Sequence, residues 1–387
     1  LMHFGMPVLH PANVAEYLEF GLYGWALSRF SGAWVGFKAI SEVVESGMTV
    51  DLDAVPLDFG LPVPFTPAHS LHVRAVDLPS LALEERAALK LDAVRAFARV
   101  NAVDKHVVVS PRATLGIVTV GKAHYDFMEV LRRLDLDPNA LAAAGVRLYK
   151  VGLVWPLEPT RIIDFALGLE ELLVIEEKGA IVERQMKELL YALPDGQRPR
   201  IAGKTTADGR PLLSALGELR PSRVMPVVAE WLARLNPALD RRDRVVDFTM
   251  PQLLSNAADG VKRLPYFCSG CPHNSSTRVP EGSKALAGIG CHFMASWMER
   301  NTEGLIQMGA EGVDWVAASR FSDEPHVFQN LGDGTYFHSG LLAIRQAVAA
   351  GTRMTYKVLY NDAVAMTGGQ PVDGKLSVAE IARQVEA

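Results

Sequence analysis

VFQNLGDGTYFHSGLLAIRQAVAAGTRMTYKVLYNDAVAMTGGQ, residues 327–370, is the stretch whose reading decides the fold. VFQNL (327–331) reads as a strand that runs into Gly332, Asp333 and Gly334. HSGLLAIRQAVAA (338–350) has helical spacing, and TYKVLY (355–360) is a second strand with Asn361 at its end. Strand, crossover helix and strand make a parallel βαβ unit, whose two strand ends lie side by side at the edge where such sheets bind ligands. Asp333 and Asn361, 28 positions apart, therefore meet there. A carboxylate and an amide oxygen suit a hard cation that shares its ligation with a diphosphate. The glycines let backbone N–H groups approach the phosphates, and the helix starting near His338 adds its positive end. A lone Gly-Asp-Gly is usually a turn. In this context, with Asn at this interval, it is the thiamin diphosphate signature.

The second signal lies just upstream. Cys268, Cys271 and Cys291 are the chain's three cysteines and fall within 24 residues, as C-x2-C-x19-C in YFCSGCPHN and GIGCHFM. Pro272 follows the second cysteine, so a haem-attachment motif is excluded. Three readings stay open: an iron–sulfur cluster with its fourth ligand elsewhere, zinc with His273 as fourth ligand, or small buried side chains packed beside the cofactor.

Further outward, residues 105–205 alternate strand and helix. LGIVTVG (115–121), VRLYKVGLV (146–154) and ELLVIEEK (171–178) are strands, and AHYDFMEVLRRL (123–134), PTRIIDFALGL (159–169) and AIVERQMKELLYAL (180–193) are helices. Apolar strands separated by helices imply a parallel sheet covered on both faces. VDWVAAS (313–319) belongs to the second such alternation, and residues 206–262 read as helices and loops. ALEERAALKLDAVRAFARV (82–100) is a charged helix, and VPLDFGLPVPFTPAH (55–69) an irregular linker. Asn13 with Glu16 marks a helix start with a capping-box acid. FGLYGWALSRFSGAWVGF (20–37) is apolar, but Arg29 at its centre makes it a buried helix and turn rather than a membrane span. Glu176 and Glu177, at a strand end, suit capping of the next helix better than catalysis, and MGAEG (308–312) is a Gly-rich turn near the thiamin signature, open equally to a cofactor-side role and to a plain turn. His10, His69, His72, His106 and His124 are scattered and read as structural.

Composition sets the outer limits. With 49% apolar and 21% charged residues, the 387-residue chain is globular, not disordered, collagen-like or coiled-coil. A net charge of −5 offers no basic surplus for nucleic acid. Three cysteines exclude a disulfide framework, which points to a reducing cytoplasm. LMHFGMPVLHP at the start lacks the pattern of a signal peptide, and KLSVAEIARQVEA at the end reads as the middle of a helix. The expectation is an interior slice of a longer polypeptide.

GMPVLHPANVAEYLEFGLYGWALSRFSGAWVGFKAI, CSGCPHN, GIGC, GDGTYFHSG and NDAVAMTGGQ, taken in order, resemble the 2-oxoacid:ferredoxin oxidoreductases, closest to the long fused bacterial indolepyruvate branch. The resemblance covers essentially the whole chain. It implies an α/β architecture: a thiamin-diphosphate-binding fold of parallel sheets flanked by helices, with a transketolase-C-terminal-like domain. Residues 1–75 would end a pyrimidine-binding domain, 76–104 form a linker and helix, and 105–205 the transketolase-C-terminal-like domain. Residues 206–262 would be a helical linker and 263–387 a truncated diphosphate-binding domain.

By the same resemblance, Asp333, Asn361 and the Ala363 carbonyl would hold Mg²⁺. Gly290, Gly332, Gly334, Met366, Thr367 and Gly368 would cradle thiamin diphosphate, with His273 near its phosphates. Cys268, Cys271 and Cys291 would hold a [4Fe-4S] cluster whose fourth cysteine lies downstream. The glutamate that activates the cofactor is expected upstream of Leu1, so this slice alone should be inactive. The implied reaction is oxidative decarboxylation of an aryl 2-oxo acid, with electrons to ferredoxin and the acyl group to coenzyme A, in a homodimer without nucleic-acid or membrane partners. A non-oxidative thiamin-dependent decarboxylase and a non-catalytic zinc-stapled scaffold are the alternatives.

Overall fold

The computed structural model describes residues 1–62, 71–72, 74–245 and 264–387. His69, most of the second half of the expected linker at 55–69 and the last part of the segment 206–262 lie outside the described residues. The chain divides into two compact units, Leu1–Thr249 and Met250–Ala387.

In the first unit the strands are β1 (Val8–Leu9), β2 (Gly36–Phe37), β3 (Lys105–Val108), β4 (Leu115–Val120), β5 (Val146–Val151), β6 (Leu153–Trp155), β7 (Glu171–Ile175) and β8 (Arg200–Ala202). Five of them form a sheet in the order β3-β5-β4-β7-β8, parallel except for the antiparallel edge β3. Every residue of β4 and β7 is buried, as central parallel strands covered on both faces must be. Their side chains alternate. Leu115, Ile117, Leu173 and Ile175 pack with Phe127, Val130 and Leu131 of helix Ala123–Arg133 and with Val224, Val228 and Trp231 of helix Pro221–Leu235. Val118, Val120, Leu172 and Val174 pack with Phe165 and Met186 on the opposite face.

One run needs correction. VRLYKVGLV is two strands, because the chain bends at Gly152. The carboxylate of Asp104 accepts the Gly152 and Leu153 N–H groups at 2.7 and 3.0 Å. A Cβ at Gly152 would lie 2.8 Å from Phe20 Cζ and 2.9 Å from the Val103 carbonyl. Past the bend, β6 leaves the large sheet and pairs antiparallel with β1, which pairs with β2. Helix Val14–Ser31 is capped by Asn13, whose side chain accepts the Glu16 N–H at 2.9 Å. Gly32 ends it in the left-handed region, so the apolar stretch 20–37 is a helix, a turn and β2. No helix among the described residues is long and apolar enough to cross a membrane.

The second unit has β9 (Lys284–Leu286), β10 (Thr302–Glu303), β11 (Val327–Gly332) and β12 (Met354–Leu359), all parallel in the order β10-β9-β11-β12. VDWVAAS is helical over Val313–Ala318. The crossover helix begins at Asp333 rather than near His338: helical turns run from Asp333 to Ala349, with a π turn at Tyr336–Gly340. Glycine at 334 suggests a break, but in a first turn glycine is tolerated, and the Asp333 carboxylate holds its N–H. The positive end of the helix therefore falls on the Gly-Asp-Gly motif itself.

Candidate functional site

β11 and β12 run in register, Gly332 opposite Leu359, so the residues that follow them emerge together. Asp333, 8% exposed, is held by backbone alone. One carboxylate oxygen accepts the Asn361 and Asp362 N–H groups at 2.9 and 2.7 Å, and the other accepts the Gly334 N–H at 2.9 Å. Asn361 Oδ1 accepts the Ala363 N–H at 3.1 Å. The loop then turns back, with the Val364 N–H on the Gln370 carbonyl at 2.8 Å and the Gly369 N–H on the Val364 carbonyl at 3.0 Å.

Asp333 and Asn361 border a cavity of about 600 Å³. Gly290, Gly332, Gly334 and His273 line it, as do Ala363, Met366 and Thr367. Gly368 stands outside the lining. Of the cysteines, Cys291 reaches the cavity, while Cys268 is exposed and Cys271 half-buried. Cys268 and Cys271 share a tight turn, the Cys271 N–H on the Cys268 carbonyl at 3.0 Å. Burial, with the nearby Cys271 and Cys268, pushes the Cys291 thiol up. Among the described residues, no three His, Cys, Asp or Glu side chains are grouped as a ready metal site.

One buried residue of this site was not singled out by the sequence. His292, 3% exposed, lies edge-to-face with His273 at 6.0 Å between ring centroids, and burial holds its imidazole down at about 4. It follows Cys291 in GIGCHFM, where nothing but its place beside the glycines could have flagged it. Glu311, the acid of MGAEG, is fully buried: its carboxylate accepts the Gly309 N–H at 2.6 Å and its carbonyl the Tyr356 hydroxyl at 2.9 Å. Burial pushes its carboxyl up. In the first unit, Glu176 accepts the N–H groups of Ile181, Val182 and Glu183 at 3.0–3.1 Å, and Glu177 that of Leu219 at 2.8 Å. Both acids hold backbone.

Residues 105–248 match the indolepyruvate oxidoreductase domain family. Over 285 residues the chain is 27% identical to the indolepyruvate oxidoreductase subunit IorA of Thermococcus kodakarensis, covering 68% of this chain and 40% of that one. It is also 24% identical over 418 residues to the IorA subunit of Pyrococcus horikoshii, covering 99% of this chain and 60% of that one. Over these stretches the chain is similar to the indolepyruvate oxidoreductases. It spans between 40% and 60% of the length of these IorA subunits. A solved 2-oxoglutarate:ferredoxin oxidoreductase from Magnetococcus marinus aligns with 58% of the chain and 42% of its own at 16% identity, with a TM-score of 0.35. The indolepyruvate oxidoreductase domain coincides with the large sheet and the helix Pro221–Leu235 that covers it, and the cavity lies in the other unit.

Proposed function

We propose that this chain forms part of a thiamin-diphosphate-dependent oxidoreductase that oxidatively decarboxylates an aryl 2-oxo acid such as indolepyruvate, passing electrons to ferredoxin and the acyl group to coenzyme A. The observation that carries the reading is the pairing of Asp333 with Asn361 beside a glycine-lined cavity. An ionised carboxylate has about four acceptor positions. Asp333 uses three on backbone N–H groups, which leaves one for a cation. Asn361 Oδ1 likewise keeps a lone pair beyond the one used by Ala363. The donor set, all oxygen, fits Mg²⁺ bridging to a diphosphate. The three N–H groups orient the carboxylate as outer partners orient metal ligands.

Thiamin diphosphate, when bound, supplies a nucleophilic carbon and an electron sink for loss of CO2. The chain's own part is to hold it: Asp333, Asn361 and the Ala363 carbonyl on Mg²⁺; Gly290, Gly332, Gly334 and the Met366–Gly368 turn around the diphosphate; His273 near its phosphates. Cys268, Cys271 and Cys291 would hold the iron–sulfur cluster that takes the electrons, with a fourth ligand from elsewhere in the polypeptide. The domain limits, the homodimer and the cytoplasmic location expected from the sequence belong to the same proposal. The names of the relatives favour the oxidoreductase over the decarboxylase and the zinc scaffold.

The test uses the full-length protein purified without oxygen. Iron and acid-labile sulfide, with thiamin-dependent bleaching near 400 nm on adding indolepyruvate, are the expected result. Zinc or no metal, with CO2 released and no bleaching, would replace it with the decarboxylase.

A further inference from the structure

Asp362 stands between Asn361 and Ala363, and its backbone is unusual. Its φ is +58°, in the left-handed region that L-residues avoid and that aspartate and asparagine enter more readily than most. Three consecutive N–H groups here hold the oxygen-donor side chains. Those of Asn361 and Asp362 converge on one Asp333 oxygen, and that of Ala363 reaches Asn361 Oδ1. In an extended strand successive N–H groups point to opposite edges. A left-handed residue inside the run bends them toward one anion, the geometry of a backbone nest.

The side chain has a separate contact. Its carboxylate meets Lys375 Nζ, at the far end of the loop that begins at Asn361. Residues 363–367 and 370–373 of that loop line the cavity, whereas Asp362 does not. Beside Lys375, Gly374 lies flat on the Phe337 ring, where a Cβ would fall 1.9 Å from Cζ, and Phe337 also lines the cavity. Asp362 thus joins the two ends of a cavity-lining loop at the point where the oxygen donors emerge.

We infer that Asp362 is a positioning residue of the oxygen-donor site: its left-handed backbone aims two N–H groups at Asp333, and its carboxylate fastens the loop that carries Ala363. The inference rests on the proposed Mg²⁺–diphosphate site for the ligand, but on the backbone and the Lys375 contact for the arrangement. The backbone contribution is the larger. The ion pair joins a side chain 63% exposed to one 31% exposed, and exposed pairs stabilise little.

The test uses the full-length protein and four variants. Asp362→Gly and Asp362→Asn keep access to the left-handed region without the carboxylate, Asp362→Val is barred from it by its branched side chain, and Lys375→Met removes the partner. Exchange of the Asn361 and Asp362 amides is read without ligand by hydrogen-exchange mass spectrometry. Affinity for thiamin diphosphate with Mg²⁺ is read by titration calorimetry, with a circular-dichroism melt to check folding. Asp362→Val should speed exchange of both amides and weaken binding, each by roughly tenfold. The other three should keep near-native exchange and bind about two- to threefold more weakly. A residue that only packed would be replaced worst by glycine, so the order of glycine and valine separates the two roles. Where Asp362→Val fails to fold, Asp362→Ala takes its place and should fall between Asp362→Gly and wild-type-like loss of neither amide nor affinity is expected of it. Native exchange and affinity in Asp362→Val, or weaker binding in Asp362→Gly than in Asp362→Val, would overturn the inference. Wild type that binds no thiamin diphosphate sinks the proposed function, and the exchange order alone then decides this inference.

Discussion

At the carboxyl ends of β4 and β7, the first unit sets Lys122 between Asp126 and Glu218, at 2.8 and 2.7 Å, and Glu176 under three backbone N–H groups. Near the end of β5, Lys150 and Glu16 form a buried ion pair. At the ends of β11 and β12, the second unit sets glycines, a cavity, and the buried polar atoms of His292 and Asn330 without partners. Both sheets have the parallel topology whose carboxyl edge can bind ligands. The difference shows that topology only offers such an edge. Side chains decide whether it is closed by paired charges, for stability, or left glycine-lined, for a ligand.

The largest effect expected from this contrast is on stability in the first unit. Lys150→Met leaves the buried Glu16 carboxylate with only Lys105, at 4.0 Å, and the Ala12 N–H, and should cost about 3 kcal/mol in chemical denaturation, partly restored by adding Glu16→Leu. A Lys150→Met protein as stable as wild type would end the claim that this edge is closed for stability. Next comes binding in the second unit. Asp333→Asn, whose amide oxygen can still accept the Asn361 and Asp362 N–H groups, should lower Mg²⁺-dependent affinity for thiamin diphosphate by roughly 100-fold while shifting the melting temperature less than Lys150→Met does. The reverse outcome, normal binding with a large loss of stability, would put both edges in one class.

Acid should weaken both units. Burial, reinforced by the Lys150 and Lys105 charges, holds His124 at about 4, and burial with the His273 charge holds His292 there too. Each has a folded pKa below its unfolded value near 6.5. Its contribution is therefore complete above pH 6.5 and is lost as pH falls toward 4, by about 1 kcal/mol per pH unit for each histidine. His124→Asn should flatten that slope in a series of denaturation curves, and an unchanged slope would remove His124 from the account. The smallest effect concerns helix Val378–Glu386, whose Ser377 and Glu380 form a reciprocal capping box. Ser377→Ala should cost about 1 kcal/mol by hydrogen-exchange of that helix, with no change in the first unit.

Periodicity and spacing made several things legible in the sequence: the continuous apolar runs of β4 and β7, the Asn13 cap, and the convergence of Asp333 with Asn361, which follows from strand–helix–strand order alone. These depend on local chemistry and on rules that hold for any parallel sheet. Only the tertiary structure showed that VRLYKVGLV bends at Gly152, because the cause, the Asp104 carboxylate, stands some fifty residues away along the chain. Likewise VDWVAAS packs as a helix, although its short apolar run has no period to separate helix from strand. The start of the crossover helix at Asp333 depends on Gly334 being held by a side chain. His292 lay hidden for a related reason. It lies in the cavity wall with Gly290 and Gly332, and Gly332 is brought beside it by the pairing of β9 with β11, a contact between segments some forty residues apart.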